Sequence, residues 1–336
     1  MEARYARQSV LDVIGQRGRR RLGQSSVLIV GCGALGSMQA ELSARAGVGR
    51  IILVDRDVVE LHNLQRQLLF DEQDVRERML KAQAAARRLK AVNSDIAIEA
   101  VTADVTAANV ESLLKSADLV LDGTDNFETR YLINDATVKA NKPWVFGGVL
   151  KTKGTVMAIC PGVGPCLRCL FPDPPDASDH FACEIEGVLN TAVAWAAALQ
   201  VTSALKILID GSTSSQFHSF DIWEGTTKTI TVEQSVDCIC CRRRNFEFLT
   251  RARGSSSTVF CGRNAVQITP ETGFRPDFAF LRERLAAHGT VSVSGQVLEF
   301  ISGEYRMIVF PDGRVMVMGT TEPSAARSMV AKFIGS

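Results

Sequence analysis

The chain has no imbalance of charge: 38 lysines and arginines stand against 37 aspartates and glutamates, a net charge of +1. That balance offers no footing for a nucleic acid or a membrane surface as partner. No unbroken run of about 18 apolar residues occurs, so no membrane-spanning helix is expected. The N-terminal stretch MEARYARQSVLD is charged and lacks an apolar core segment, which argues against a secretory signal. Histidine is scarce, and His62, His180, His218 and His288 fall in no pattern that suits a hydride-transfer or acid–base partner. The content of 46% hydrophobic and 22% charged residues is ordinary for a globular chain, and 336 residues suffice for about two domains. Nine cysteines without a signal point to a reducing, cytoplasmic setting and to metal or thiol chemistry rather than disulfides.

What is present is organised around residues 26–57, SVLIVGCGALGSMQAELSARAGVGRIILVDRD. An apolar run from Val27 to Val30 reads as a strand buried on both faces. The turn Gly31-Cys32-Gly33-Ala34-Leu35-Gly36 follows, then a helical segment, then a second apolar run, Ile51 to Val54, ending in Asp55. Glycines let the backbone turn tightly and approach a phosphate, which a helix N-terminus then favours. Asp55 stands where a carboxylate accepts hydrogen bonds from a ribose. The unit predicts a nucleotide site without saying which nucleotide, and NAD is the default reading.

Further strands are expected over Ile96–Val101, Ala117–Leu121 and Pro143–Val149. Helices are expected over 72–92, Val110–Lys115 and Glu128–Ala140. Alternating strands and helices mean an α/β fold with a Rossmann-like, doubly wound, mostly parallel sheet, whose ligands lie beyond the carboxyl ends of the strands. Asp55 and Asp125 both fall there. From Gly154 the strands turn antiparallel in character (GTVMAIC, SFDIW, TKTITVE), around a long apolar helix from Thr191 to Leu208. The Gly/Ser-rich break at Gly254–Ser257 divides the sequence into 1–254 and a small α+β module, 255–336, with a hairpin turn at Pro311-Asp312-Gly313.

Cys166-Leu-Arg-Cys169 and Cys238-Ile-Cys240-Cys241 are two C-x-x-C pairs separated by 68 intervening residues. Each pair can offer two thiolates to one tetrahedral zinc, and together they complete a closed structural site. A buried or redox-active pair is the alternative. Cys240 is extra and is expected beside the site without ligating.

Taken in order, RYARQ at 4–8, GCGALG at 31–36, DRDVVELHNLQRQ at 55–67, Lys81, DGTDN at 122–126, CLRC at 166–169 and CICC at 238–241 resemble the MoeB/ThiF/HesA family. These are bacterial relatives of ubiquitin-activating enzymes, and the resemblance covers residues 4 to about 245. It implies ATP rather than NAD. The implied reaction is adenylation of the C-terminal glycine of a small ubiquitin-like sulfur carrier, ending in Gly-Gly, before sulfur arrives from a donor protein. It implies nucleotide contacts from Gly31, Gly33, Ala34, Leu35, Gly36, Asp55, Asp57, Asn63, Arg66, Gln67, Lys81, Asp125 and Asn126. Asp55 would hold the ribose, Arg66 and Lys81 the phosphates, and Asp125 a magnesium ion. Arg7 would reach the γ-phosphate of a partner subunit's ATP, making the enzyme a homodimer. Were the alignment displaced, Arg76 or Arg78 would replace Lys81; Arg130 is read as structural, contacting Asp125 or capping a helix. Cys183 falls where relatives carry a thiol that can join the activated carrier.

The chemistry agrees with this assignment. A carboxylate attacking the α-phosphate of ATP brings two anions together, so catalysis consists largely of charge neutralisation and in-line placement. An NAD-dependent oxidoreductase on the same turn, and a scaffold that binds ATP and a carrier without turnover, are the competing readings. The module after residue 254 carries no rhodanese-like signature, since no cysteine follows Cys261.

Overall fold

The computed structural model describes residues 2–174, 187–211, 214–250, 257–260, 264–269 and 275–334. The chain forms two compact units, Met1–Glu72 with Leu80–Ala252, and Gln73–Met79 with Arg253–Ser336.

In the first unit, α1 (Glu2–Ser9) and α2 (Gly15–Gln24) precede β1 (Ser26–Val30), α3 (Ala34–Ala46) and β2 (Arg50–Val54). Then come α4 (Glu72–Arg76), which from Gln73 on belongs to the second unit, and, again in the first, α5 (Lys81–Val92), β3 (Ala97–Val101), α6 (Val110–Lys115), β4 (Leu119–Asp122), α7 (Phe127–Ala140), β5 (Trp144–Leu150) and β6 (Lys153–Ile159). A short α8 (Leu167–Leu170), the long α9 (Asn190–Asp210), β7 (Gln216–Asp221), β8 (Thr226–Thr231) and α10 (Glu247–Thr250) complete it. Eight strands pair in the order β3-β2-β1-β4-β5-β6-β7-β8. Pairing is parallel from β3 to β5 and antiparallel beyond. Val27 to Val30 and Ile51 to Val54 are buried along their whole length, as runs covered on both faces must be. Each such side chain contributes about 1.5–3 kcal/mol. The chain leaves β1 for β2 on one side and returns across the sheet to β4 on the other. The switch point therefore lies between the carboxyl ends of β1 and β4.

The helix α9 is long and apolar enough to cross a bilayer by length and composition, a property that the lack of an unbroken apolar run conceals. Its buried residues recur at helical spacing, Val193, Ala196, Ala197, Gln200, Val201 and Ala204, and it packs on α3, β5 and β6 as a core helix.

The pattern over 72–92 is not one helix. Two helices flank a break in which Arg78 adopts φ +49° and Leu80 forms a bridge with Val58. Tertiary pairing overrides the local propensity there.

The second unit holds β9 (Ser257–Phe260), β10 (Ala265–Ile268), α11 (Phe278–Leu285), β11 (Thr290–Ser294), β12 (Val297–Ser302), β13 (Tyr305–Val309), β14 (Val315–Met318) and α12 (Pro323–Phe333). Its sheet runs β11-β12-β13-β14-β10-β9, all antiparallel. The Pro311-Asp312-Gly313 turn joins β13 to β14, with Gly313 at φ +88°. Phe300, Val309, Leu285, Val330 and Phe333 form its core.

Candidate functional site

The switch point is closed by two glycine-bearing turns. Gly31 sits at φ +88°, and a β-carbon there would fall 2.8 Å from the Gly123 carbonyl oxygen. One on Gly36 would fall 1.8 Å from the Gly31 carbonyl oxygen, so only glycine lets α3 start this close to β1. A β-carbon on Gly33 would meet nothing nearer than the Gln67 amide nitrogen at 3.9 Å. Gly33 also caps α3 without a side chain, which leaves the first N–H groups of a 13-residue helix open to an anion.

Asp55, at the tip of β2, fastens this turn: its Oδ2 accepts from the Cys32 N–H at 2.6 Å and its Oδ1 from the Asp57 N–H at 2.7 Å. Burial pushes the Asp55 carboxyl above its ordinary range; nearby Lys81 pulls it back and Asp57 pushes it up. Lys81 is itself buried, with its Nζ 3.1 Å from Asp57 Oδ2 and its backbone N–H donated to the Asp57 carbonyl. Asp55, Asp57 and Lys81 therefore form one partly buried charge cluster. The Cys32 thiol beside it is pushed up by burial and then by Asp55, so it stays protonated.

The segment carrying Asn63, Arg66 and Gln67 lies on the first turn of α3, where the Leu68 N–H donates to Ser37 Oγ at 3.1 Å. Asn63 accepts from the Glu60 N–H, yet its Nδ2 and the Gln67 Oε1 are buried without a hydrogen-bond partner. Such atoms each cost about 1–3 kcal/mol unless something completes them, and a bound nucleotide fits that need. Arg66, half-buried, donates to the His62 carbonyl at 3.0 Å. It borders an open groove of about 340 Å³ lined also by Met38, Leu64, Leu68, Thr191 and Ala194.

On the other side of the switch point, Asp125 is exposed on the loop after β4. The Asn126 side-chain oxygen caps α7, accepting from the Thr129 N–H at 2.9 Å. Arg130 contacts Asp122 rather than Asp125, with Nε 3.1 Å from Asp122 Oδ2, and donates to the carbonyls of Thr124 and Gly147. Asp122 further accepts from the Thr124 N–H and hydroxyl. This buried pair fixes the loop that carries Asp125. Behind it, the amides of Gln39 and Gln200 hydrogen-bond each other and both donate to the Asp122 carbonyl. The sequence reading missed Asp122, Gln39 and Gln200. Their one signal is a polar residue embedded in an apolar run or helix.

Arg4, Tyr5 and Gln8 fasten α1: Arg4 pairs with Asp95, Gln8 donates to the Ala46 carbonyl, and the Tyr5 hydroxyl accepts from Asn93. Arg7 in the last turn is exposed, next to Val10, Leu11 and Val13, which are 74%, 50% and 78% exposed.

Away from this site, the sulfurs of Cys166, Cys169, Cys238 and Cys241 lie within 4.8 Å of one another. Neighbouring separations are 4.0, 3.6 and 3.5 Å, against about 3.8 Å for thiolates around zinc at about 2.3 Å. All four are free thiols, and the donor set suits zinc. Cys240 is buried beside them and receives the Asn134 amide at 3.2 Å. Cys183, His180 and Cys261 lie outside the described residues.

A nucleotide turn at the switch point of a parallel sheet, extended by antiparallel strands, defines a Rossmann-like nucleotide-binding protein that also carries four cysteines able to hold a metal ion. Residues 5–240 match the ThiF family. Sulfur carrier protein ThiS adenylyltransferase of Bacillus subtilis (strain 168) is 37% identical over 338 residues, spanning 100% of both chains. SAMP-activating enzyme E1 of Haloferax volcanii is 36% identical over 71% of this chain and 88% of its own. Among solved structures, E. coli MccB with ATP superposes with a TM-score of 0.62 at 25% identity, covering 71% of this chain and 74% of that one. The chain belongs to the ThiF family.

Proposed function

We propose that this protein is an adenylyltransferase that uses ATP to activate the C-terminal glycine of a small ubiquitin-like sulfur carrier ending in Gly-Gly. The observation that carries the reading is the join of Gly31 to Gly123 at the switch point, with the Asp55–Asp57–Lys81 cluster and the unpaired Asn63 amide beside it. A relative matched over its whole length and named for this reaction supports it.

In this reading the α3 N-terminus, Asn63, Arg66 and Lys81 receive the phosphates, and Asp55 the ribose. The carrier's carboxylate oxygen attacks the α-phosphorus, the bond to the β-phosphate breaks, and pyrophosphate leaves. Arg66 binds phosphate through a planar fork and Lys81 as a point charge, so together they neutralise charge that both reactants bring. The Asp122–Arg130 pair keeps the Asp125 loop in place. Magnesium held by Asp125 would supply further charge neutralisation at the phosphates. Zinc on the four cysteines would pin α8 to the Cys238–Cys241 loop, a structural task; thiols poised for it suit a cytoplasmic, reducing compartment. Arg7, exposed beside an apolar patch, supports a homodimer in which it serves the partner's ATP. Cys183 is assigned to acyl or sulfur transfer with a donor protein.

Calorimetry with ATP and with NADH tests the nucleotide. Binding of ATP with no binding of NADH is expected; the reverse overturns the reading. Undiminished thiocarboxylate formation by Cys183→Ser removes that residue from the scheme.

A further inference from the structure

We infer that Gln39 and Gln200 are positioning residues for the adenylation step: their paired amides set where β4 ends and so where the loop carrying Asp125 begins. The inference deepens the adenylation reading and rests on it. Every group involved belongs to the first unit. Gln39 lies on α3, the helix whose N-terminus is assigned to the phosphates. Gln200 lies on α9, whose first turns line the groove beside Arg66. The two helices pack on each other, and both glutamines are fully buried.

The pairing of β4 with β5 ends at Leu121 and Val145. The next carbonyl, that of Asp122, is claimed by side chains instead: Gln39 Nε2 donates to it at 2.8 Å and Gln200 Nε2 at 2.9 Å. Gln39 Nε2 also donates to Gln200 Oε1 at 2.6 Å, and Gln200 Nε2 to the Val145 carbonyl at 3.2 Å. Gln200 thus bridges the two strands where their ladder stops. Space is reserved for it: a β-carbon on Gly147 would fall 2.4 Å from its amide. Packing one helix on another needs no amides, and Gln39 Oε1 is left buried without a hydrogen-bond partner, a cost that an apolar side chain would avoid. What the amides supply is a directed hold on one backbone carbonyl, which apolar contacts do not give. Arg130 holds the Asp122 side chain, and the amides hold its backbone. The glycine turn across the switch point has anchors of its own, with the Gly31 N–H donating to the Val54 carbonyl and the Cys32 N–H to Asp55. Loss of the amides therefore displaces the Asp125 loop and leaves the groups assigned to ribose and phosphates in place.

The test uses the full-length protein and three readouts. They are the Kd for ATP by calorimetry, kcat in pyrophosphate exchange with a carrier ending in Gly-Gly, and amide hydrogen exchange at Gly123 and Thr124 without nucleotide. Gln39→Met, which leaves Gln200 on the carbonyl, is expected to lower kcat about tenfold with Kd within about twofold. The Gly123 and Thr124 N–H groups bond to the Val30 carbonyl and to Asp122 Oδ1, and their exchange is expected to quicken about tenfold. Gln200→Met is expected to give the same split, at least as large. Thr137→Val removes a buried hydroxyl that bonds to the Ile133 and Asn134 carbonyls, toward the far end of α7 from the loop. It controls for general loss of stability and is expected to change none of the three. Unchanged amide exchange in Gln39→Met, an equal response in Thr137→Val, or weakened ATP binding with kcat unchanged overturns the proposal. A wild-type protein that turns over no ATP overturns the adenylation reading instead, and the amide exchange still decides whether Gln39 sets the loop.

Discussion

Replacing Arg130 by methionine leaves the Asp122 carboxylate, 0% exposed, without its cation. The substitution also removes the donors to the Thr124 and Gly147 carbonyls at 2.7 and 2.9 Å. Breaking a buried pair from one side costs about 3–5 kcal/mol, a large share of the about 5–15 kcal/mol that holds a typical domain folded. Asp122→Asn alone strands the buried guanidinium and is expected to cost a similar amount. The double variant removes both charges together, and its asparagine oxygen still accepts from the Thr124 N–H and hydroxyl, at 2.9 and 2.6 Å in the native chain. Its cost is expected to be about 1–3 kcal/mol, so the cycle should return a coupling of at least about 2 kcal/mol. Urea denaturation followed through the buried Trp144 measures all four proteins. Additive costs, with the double variant as unstable as the two singles summed, would refute the claim that this pair is what fixes the loop carrying Asp125.

Asp55→Asn should weaken ATP binding about 10- to 100-fold, the worth of about 1.5–3 kcal/mol for hydrogen bonds to a charged acceptor, as read by calorimetry. In the wild type, burial holds the Asp55 carboxyl above 3.8. Its contribution to folding is therefore fully present below that value and is lost as pH rises through the folded-state one. ATP binding through the carboxylate runs the other way, so affinity should fall on acidification at a pH above the ordinary aspartate range; an acid limb centred near 3.8 counts against this. Lys81→Met should lower kcat/KM for ATP at least about tenfold while the protein still folds, checked by exchange kinetics and circular dichroism. Chelation, or Cys238→Ser, should release zinc and unfold the corner at Cys166–Cys169, since structural zinc contributes on the order of 10 kcal/mol. Cys240→Ser should keep one zinc per chain by elemental analysis.

Much of the fold was legible because its signals are local. The runs Val27 to Val30 and Ile51 to Val54 can only be strands buried on both faces, and the Gly31–Gly36 turn announces the phosphate side of the sheet. The two C-x-x-C pairs announced the four-sulfur cluster in the same way. What stayed hidden depends on neighbours distant in sequence. Residues 72–92 have helical composition throughout; the break at Arg78 exists because Leu80 pairs with Val58 and residues 73–79 belong with the C-terminal unit. The strand β11, TVSVS, alternates small polar residues and is specified mainly by its pairing with β12. Gln39 and Gln200 are 161 positions apart, and nothing in either local sequence foretells that they meet over the Asp122 carbonyl.

Exchange of labelled pyrophosphate into ATP tests the central claim most directly, measured with a carrier ending in Gly-Gly and with the same carrier lacking those two residues. The account predicts exchange with the intact carrier and none without its tail, because the attacking carboxylate is then absent from the α-phosphate. Exchange that ignores the tail, or no exchange with any Gly-Gly carrier while ATP is bound, would contradict it.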